Sequence, residues 1–326
     1  MKDLHSYEDM RAVYADTLID LAERDERVLV LEADLMSASG TRVFKERFPE
    51  RIINAGVAEA NMVGVASGLS SRGFIPFANT FACFASRRTF DQFFLSANYA
   101  RQNVKLIGTD PGVTAKYNGG THMPFCDITL MRVIPKLVVM EPADTVSVHA
   151  LTKLAYEHEG CVYMRLHRKG AQNIYPPEQE FEIGRGIVNR DGSDVTIVAT
   201  GMVMLAEALE AAQALEQEGV HAAVIDMHTV KPLDEELVLS YAKKTGAVVA
   251  CENGQIAGGL GGAVTELLSD ACPTVVKRVG IEDEFGEVGT QEYLQERYGL
   301  TAAHIADKAR EAIGAKRKSA ASPAQT

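Results

Sequence analysis

Glu59 stands in the stretch Gly56-Val57-Ala58-Glu59-Ala60-Asn61-Met62, at the start of a helix predicted over about 58–72. A carboxyl group desolvated among Ala, Val and Met side chains can share a proton with a ring nitrogen of a bound heteroaromatic group, because burial disfavours its charged form. The positive end of the helix dipole pushes the same group the other way. An acidic residue in a first helical turn also has the plainer role of opposing that dipole, so Glu59 gains meaning only from its neighbours.

Three further stretches supply such neighbours. In Thr80-Phe81-Ala82-Cys83-Phe84 the two phenylalanines are spaced to share one helix face and to offer a flat wall to a ring. Asn118-Gly119-Gly120-Thr121-His122-Met123-Pro124 reads as a loop in which glycines permit close approach to a ligand and His122 can donate to an oxygen. Arg165-Leu166-His167-Arg168-Lys169 follows a predicted strand, and ligands of parallel α/β sheets bind beyond the carboxyl ends of strands. An arginine there suits an anion through its planar fork of donors. Taken singly, these are core phenylalanines, an exposed histidine and a surface basic cluster.

The elements that position these residues alternate. Short apolar runs at 28–31, 105–108, 137–140 and 161–164 read as buried parallel strands, with helices over about 6–24, 58–72, 81–101 and 144–158. Pro176, Pro177 and several glutamates interrupt the pattern near 170–186. It then restarts with strands at 195–198, 222–225, 248–250 and 275–276 and helices over 204–216, 235–244 and 301–315. The run Gly258-Gly259-Leu260-Gly261-Gly262 lacks the spacing of a dinucleotide loop and fits tight helix packing. The expected fold class is α/β, as two three-layer α/β/α domains with mainly parallel sheets.

Composition narrows the function. The chain has 326 residues, 46% apolar and 24% charged, with a formal charge of −11. That acidic balance argues against nucleic acid or an anionic membrane as partner. Five cysteines with no C-x-x-C spacing make disulfides and a thiolate zinc site poor expectations, and no metal ligands are assigned. No apolar run approaches a bilayer span, and Glu8 and Asp9 replace a signal core, so a cytoplasmic location is expected. Lys316-Arg317-Lys318 reads as a solvated end.

In their order and spacing, Gly56–Met62, Thr80-Phe81, the Gly-Gly-Thr-His-Met-Pro loop and Glu141-Pro142-Ala143-Asp144 resemble the C-terminal half of transketolase. The resemblance implies a pyrimidine-binding domain for thiamine diphosphate over 1–170 and a transketolase C-terminal domain over 186–314. Composition places the linker between them over 171–185 and a disordered tail over 315–326. It implies that Glu59 hydrogen-bonds the pyrimidine nitrogen, that Phe84 and Phe81 line that ring, and that Asp34-Leu35 sits near the cofactor. His122 and Asn118 would contact substrate, with His122 sharing the catalytic role, and Arg11 and Arg168 would grip a sugar phosphate.

Some positions depart from the family pattern. Asn118 replaces an Asp, Ala38 a phosphate-gripping Ser, Arg87 a Tyr near the pyrimidine, and Asp110 a phosphate-gripping His whose replacement would repel phosphate. These departures count against the usual pentose phosphates as substrates and fit a modified sugar or a differently placed anion. The Gly-Asp-Gly loop that holds the diphosphate and its Mg2+ is missing, since Asp191-Gly192 lacks that context. The resemblance thus implies a partner subunit carrying the N-terminal half and most of the cation site, in an α2β2 assembly. The alternatives are a split 1-deoxyxylulose-5-phosphate synthase, a 2-oxoacid dehydrogenase β-type subunit, and a silent regulatory homologue. Pro111 occupies an arginine position of the synthases, which counts against the first.

Overall fold

A computed structural model describes residues 3–7, 9–168 and 172–321, with side chains described as far as 318. Glu8, Lys169, the head of the linker at 170–171 and the tail at 322–326, all invoked above, lie outside the described residues. Twelve described strands fall into two sheets, each flanked by helices on both faces.

The first sheet is built from β1 (Val28–Glu32), β2 (Ile52–Asn54), β3 (Ile75–Phe81), β4 (Lys105–Thr109), β5 (Val138–Met140) and β6 (Val162–Leu166), all mutually parallel. β1, β4, β5 and β6 are buried along their whole length, as strands covered on both faces must be. Helices Met10–Arg24 and Thr145–Glu157 cover one face, sharing a core with Leu18 and Leu151. Glu59–Ser70 covers the other through Met62 and Val63.

The second sheet holds β7 (Ile187–Arg190), β8 (Val195–Ala199), β9 (Ala222–Asp226), β11 (Ala247–Gln255) and β12 (Val275–Ile281), with only β7 antiparallel. One strand of this half, β10 (Thr229–Lys231), crosses over and pairs antiparallel with β5 at the edge of the first sheet. The two domains therefore share a sheet edge, which the alternating pattern of apolar runs did not foretell.

Other differences have local causes. The expected continuous helix over 81–101 is replaced by the end of β3 followed by short helices at Ala82–Arg87, Phe90–Gln92 and Phe93–Tyr99. Thr80 and Phe81 stay extended because they are paired to Gly108 and Thr109 of β4. The linker is stitched down at Tyr175, whose N–H donates to Asp144 (2.9 Å) and whose hydroxyl donates to Asp226 (2.6 Å). The closing helix runs Ala302–Ala321, so 315–321 is helical and not a disordered tail. Within it Lys316 donates to the Thr245 carbonyl and is not a free solvated cation. The glycine run opens helix Leu260–Ala271, where the Gly261 N–H donates to the buried Glu252 carboxylate at 2.8 Å.

Candidate active site

Parallel strands deliver their carboxyl ends to one edge of the sheet. Along that edge stand Asp34-Leu35 after β1, Phe81 closing β3, Asp110 after β4 and Arg168 after β6. Glu59 joins as the first residue of the helix that follows β2. Most of the residues singled out in the sequence therefore reach one rim, the place where α/β sheets bind ligands.

Phe81, Phe84 and His122 form a cluster. The Phe81 and Phe84 ring centroids are 6.0 Å apart, and the His122 ring stands edge-on to both, at 5.9 and 5.1 Å. His122 Nδ1 lies 2.9 Å from the Thr121 hydroxyl, which orients the imidazole. Beside the cluster Glu59 is 4% exposed, and its Oε1 accepts from Arg88 Nη1 at 2.7 Å. The Arg88 guanidinium lies 3.7 Å over the Phe84 ring centroid. Glu59 is thus buried as expected, yet ion-paired and not in a purely apolar setting. Arg88 went unnoticed in the sequence. The signal was its place four residues after Phe84, on the same helix face.

The second group surrounds Arg168. Its Nη2 donates to Asp110 Oδ2 at 2.6 Å, and its guanidinium sits 6.0 Å from the Phe81 ring centroid. Asp110 is 4% exposed and adopts a positive φ of 54°. Burial raises its carboxyl above the usual range, and the Arg168 charge opposes that shift. A cavity of about 200 Å³ opens here, lined by Asp110, Arg168, Lys116, Thr114, Gln291 and the expected Asn118, among others.

The loop between these residues is fixed from the other domain. Asn253 of β11 accepts from the Val113 N–H at 3.0 Å and donates to the Pro111 carbonyl at 3.3 Å. Gly112 has φ +56°, and a Cβ there would meet Asn253 Oδ1 at 2.1 Å. Gly120 serves the same seam, since its Cβ would fall 2.0 Å from the Gly286 carbonyl oxygen. That glycine admits the second domain, not a ligand as its loop suggested.

Not every expected residue turns toward the cluster. Arg11 is committed to Asp9 (3.2 Å) and the Ser37 carbonyl (2.8 Å), although its charge is felt at Asp110. Asp34, at φ 62°, exchanges hydrogen bonds with Asn54, each 3.0 Å. Among the described residues of the basic stretch, only Arg168 faces the site. Arg165 is fully buried against Asp127, Glu141 and the Asn253 carbonyl, and His167 is 3.0 Å from Glu141. Arg165 and His167 turn toward the buried carboxylates, whereas Arg168, beyond the end of β6, turns to Asp110.

A buried carboxylate beside an aromatic wall fits an aminopyrimidine. The Arg88 guanidinium, flat and rich in N–H donors, already makes the two contacts such a ring needs, lying on Phe84 and donating to Glu59. The fold, one α/β domain with this rim followed by a second α/β domain, is the arrangement found on the pyrimidine-binding side of thiamine diphosphate-dependent enzymes. Family models agree: the transketolase pyrimidine-binding domain matches residues 7–172 and the transketolase C-terminal domain matches 184–305. The chain belongs to the transketolase family and corresponds to its C-terminal half, as found in split transketolases.

Relatives narrow the comparison. The chain is 50% identical over 302 residues to the 6-deoxy-6-sulfo-D-fructose transketolase subunit SqwH of Clostridium sp. (strain MSTE9), covering 93% of this chain and 94% of that one. It is 41% identical to a putative transketolase C-terminal section of Methanocaldococcus jannaschii, covering 93% and 95%. A solved split-gene transketolase, described as an inactive β4 tetramer, superposes with TM-score 0.89 at 44% identity, covering 95% of this chain and all of that one.

Proposed function

We propose that this chain is the C-terminal-half subunit of a split transketolase that moves a two-carbon ketol unit from a sulfonated ketose to an aldose. The observation that carries the reading is the meeting of buried Glu59, Phe84 and His122 at the carboxyl edge of the first sheet. The kinship with a subunit named for a sulfo-sugar supports the donor. A partner subunit would supply the N-terminal half, the diphosphate loop and the Mg2+ site, in an α2β2 complex.

Thiamine diphosphate, when bound, supplies the nucleophilic carbon and the electron sink for breaking the bond beside the ketose carbonyl. This chain holds and orients. Glu59 would exchange Arg88 for the pyrimidine nitrogen and keep a proton on that edge of the ring. Phe84 and Phe81 would wall the ring and exclude water, with Asp34-Leu35 lining the rim nearby. His122 would donate to the substrate's carbonyl or hydroxyl oxygen, with Asn118 as a neutral neighbour. Arg168 would face the terminal anion, with Arg11 adding a more distant positive field.

Reconstitution tests this. The chain mixed with its N-terminal-half partner, thiamine diphosphate and Mg2+ should transfer a ketol unit from 6-deoxy-6-sulfofructose to an aldose, and either chain alone should not. Turnover by this chain alone would refute the divided site.

A further inference from the structure

We infer that Asp110 sets the charge the anion pocket accepts, favouring a singly charged terminal group over a doubly charged one. This deepens the reading above and rests on it, because the pocket matters only if a ketose with an anionic end binds there.

The argument begins with how firmly the carboxylate is held. Asp110 follows β4 directly, its N–H donates to the Leu166 carbonyl at 3.2 Å, and its side chain is almost wholly buried. The loop behind it is pinned through Gly112 and Asn253. The carboxylate cannot swing away when a ligand arrives. It lines the same small cavity as Arg168 and Lys116.

The charges around the cavity then decide the preference. Arg168 already gives one N–H to Asp110, so much of its charge is answered before any ligand binds. Its Nε is buried with no hydrogen-bond partner among the described residues, leaving a donor to satisfy. Arg11 is tied to Asp9. Lys116 remains as a cation on the rim, and its field reaches Glu292. The pocket therefore offers hydrogen-bond donors with a small positive surplus. A sulfonate carries one negative charge at any physiological pH. A phosphate monoester carries close to two at neutral pH, since its second ionisation lies near 6. The second charge meets a buried carboxylate in a partly desolvated space, where repulsion is screened far less than in water.

Asp110→Asn keeps the shape and an acceptor for Arg168, and Asn tolerates the left-handed backbone found here. In the reconstituted complex the variant should raise the ratio of kcat/KM for fructose 6-phosphate to that for 6-deoxy-6-sulfofructose by roughly tenfold, with the change carried by KM. A second measurement needs no variant. Methanesulfonate should compete with the sulfonated donor about tenfold more tightly than methyl phosphate does. If ketol transfer occurs but the ratio moves less than twofold, or methyl phosphate inhibits the wild type as strongly, Asp110 is not the discriminator and the transketolase reading stands. If neither ketose is turned over by the complex, the reading of the site fails and this inference goes with it.

Discussion

Arg88 spans Glu59 and Phe84, donating to the carboxylate at 2.7 Å while its guanidinium covers the ring at 3.7 Å. Arg88 is half exposed and Glu59 is not, so the pair can open by moving the arginine alone. Glu59→Gln should lower kcat of the reconstituted enzyme by on the order of 10²-fold or more, the scale of one acid/base contact. The melting temperature of the isolated chain should shift little, because a partly exposed ion pair contributes about 0–1 kcal/mol. Near-normal turnover in that variant would remove Glu59 from the chemistry.

Arg168→Ala should act on binding. Losing a charge-assisted contact to an anion is worth about 1.5–3 kcal/mol, which steady-state kinetics would read as a KM increase of at least tenfold with kcat nearly kept. It also leaves the buried Asp110 without its hydrogen-bond partner, so Arg168→Lys is the gentler companion. An unchanged KM in both variants would return Arg168 to a purely structural role.

Much of this site is written into short stretches of the chain. Glu59 opening a helix, two phenylalanines three apart and a glycine-flanked His122 were visible because each sits where a local pattern changes. The same patterns gave the two α/β domains. What escaped notice depends on contacts between distant segments. β10 leaves its own domain to pair with β5, and no periodicity in Thr229–Lys231 announces that. Asn253 reaches the Gly112 loop from far along the sequence. Arg165 looked like part of a surface basic cluster, yet burial against two carboxylates makes it part of the core. Arg88 lay in plain view beside Phe84 and needed only the helix-face rule to be noticed.

Arg165 has a large expected effect on folding. It is fully buried and bonds Asp127 through Nε (2.7 Å) and Nη2, Glu141 through Nη1 (3.2 Å), and the Asn253 carbonyl (3.0 Å). Arg165→Ala would remove the guanidinium counter-charge from two buried carboxylates, leaving Tyr163 on Asp127 and His167 on Glu141, and would cut the bond to the Asn253 carbonyl across the seam. Removing one partner of such a network costs about 3–5 kcal/mol. Urea unfolding of the isolated chain should show a correspondingly lower midpoint, and a loss below about 1 kcal/mol would contradict the geometry.

Gly112→Ala tests the seam more locally. The added methyl would collide with Asn253 at a backbone angle that alanine rarely adopts. Stability should fall by about 1–3 kcal/mol, and KM for the anionic donor should rise because the Asp110 loop is displaced. Gly112→Ala combined with Asn253→Ala should recover part of both losses, since the clash is gone. Failure of the double variant to recover anything would show that backbone strain alone governs this position.

Glu32 at the end of β1 offers a test by pH. Its Oε1 accepts from Ser39 and Thr41, each at 2.6 Å, while Oε2 is buried without a partner among the described residues. Burial lifts its pKa from 4.5 to about 7, against the pull of those two hydroxyls. Between these values the folded chain holds a proton that the unfolded chain has released. The contribution of this group is therefore complete at low pH and is lost as pH rises through about 7. Glu32→Gln keeps a neutral acceptor and removes that loss. Relative to wild type, the variant should gain roughly 2–3 kcal/mol on going from pH 5 to pH 8.5, read as the difference in urea midpoints. A difference that does not change with pH would mean that Glu32 is ionised in the folded chain throughout this range, and that Oε2 finds a hydrogen-bond donor in solution.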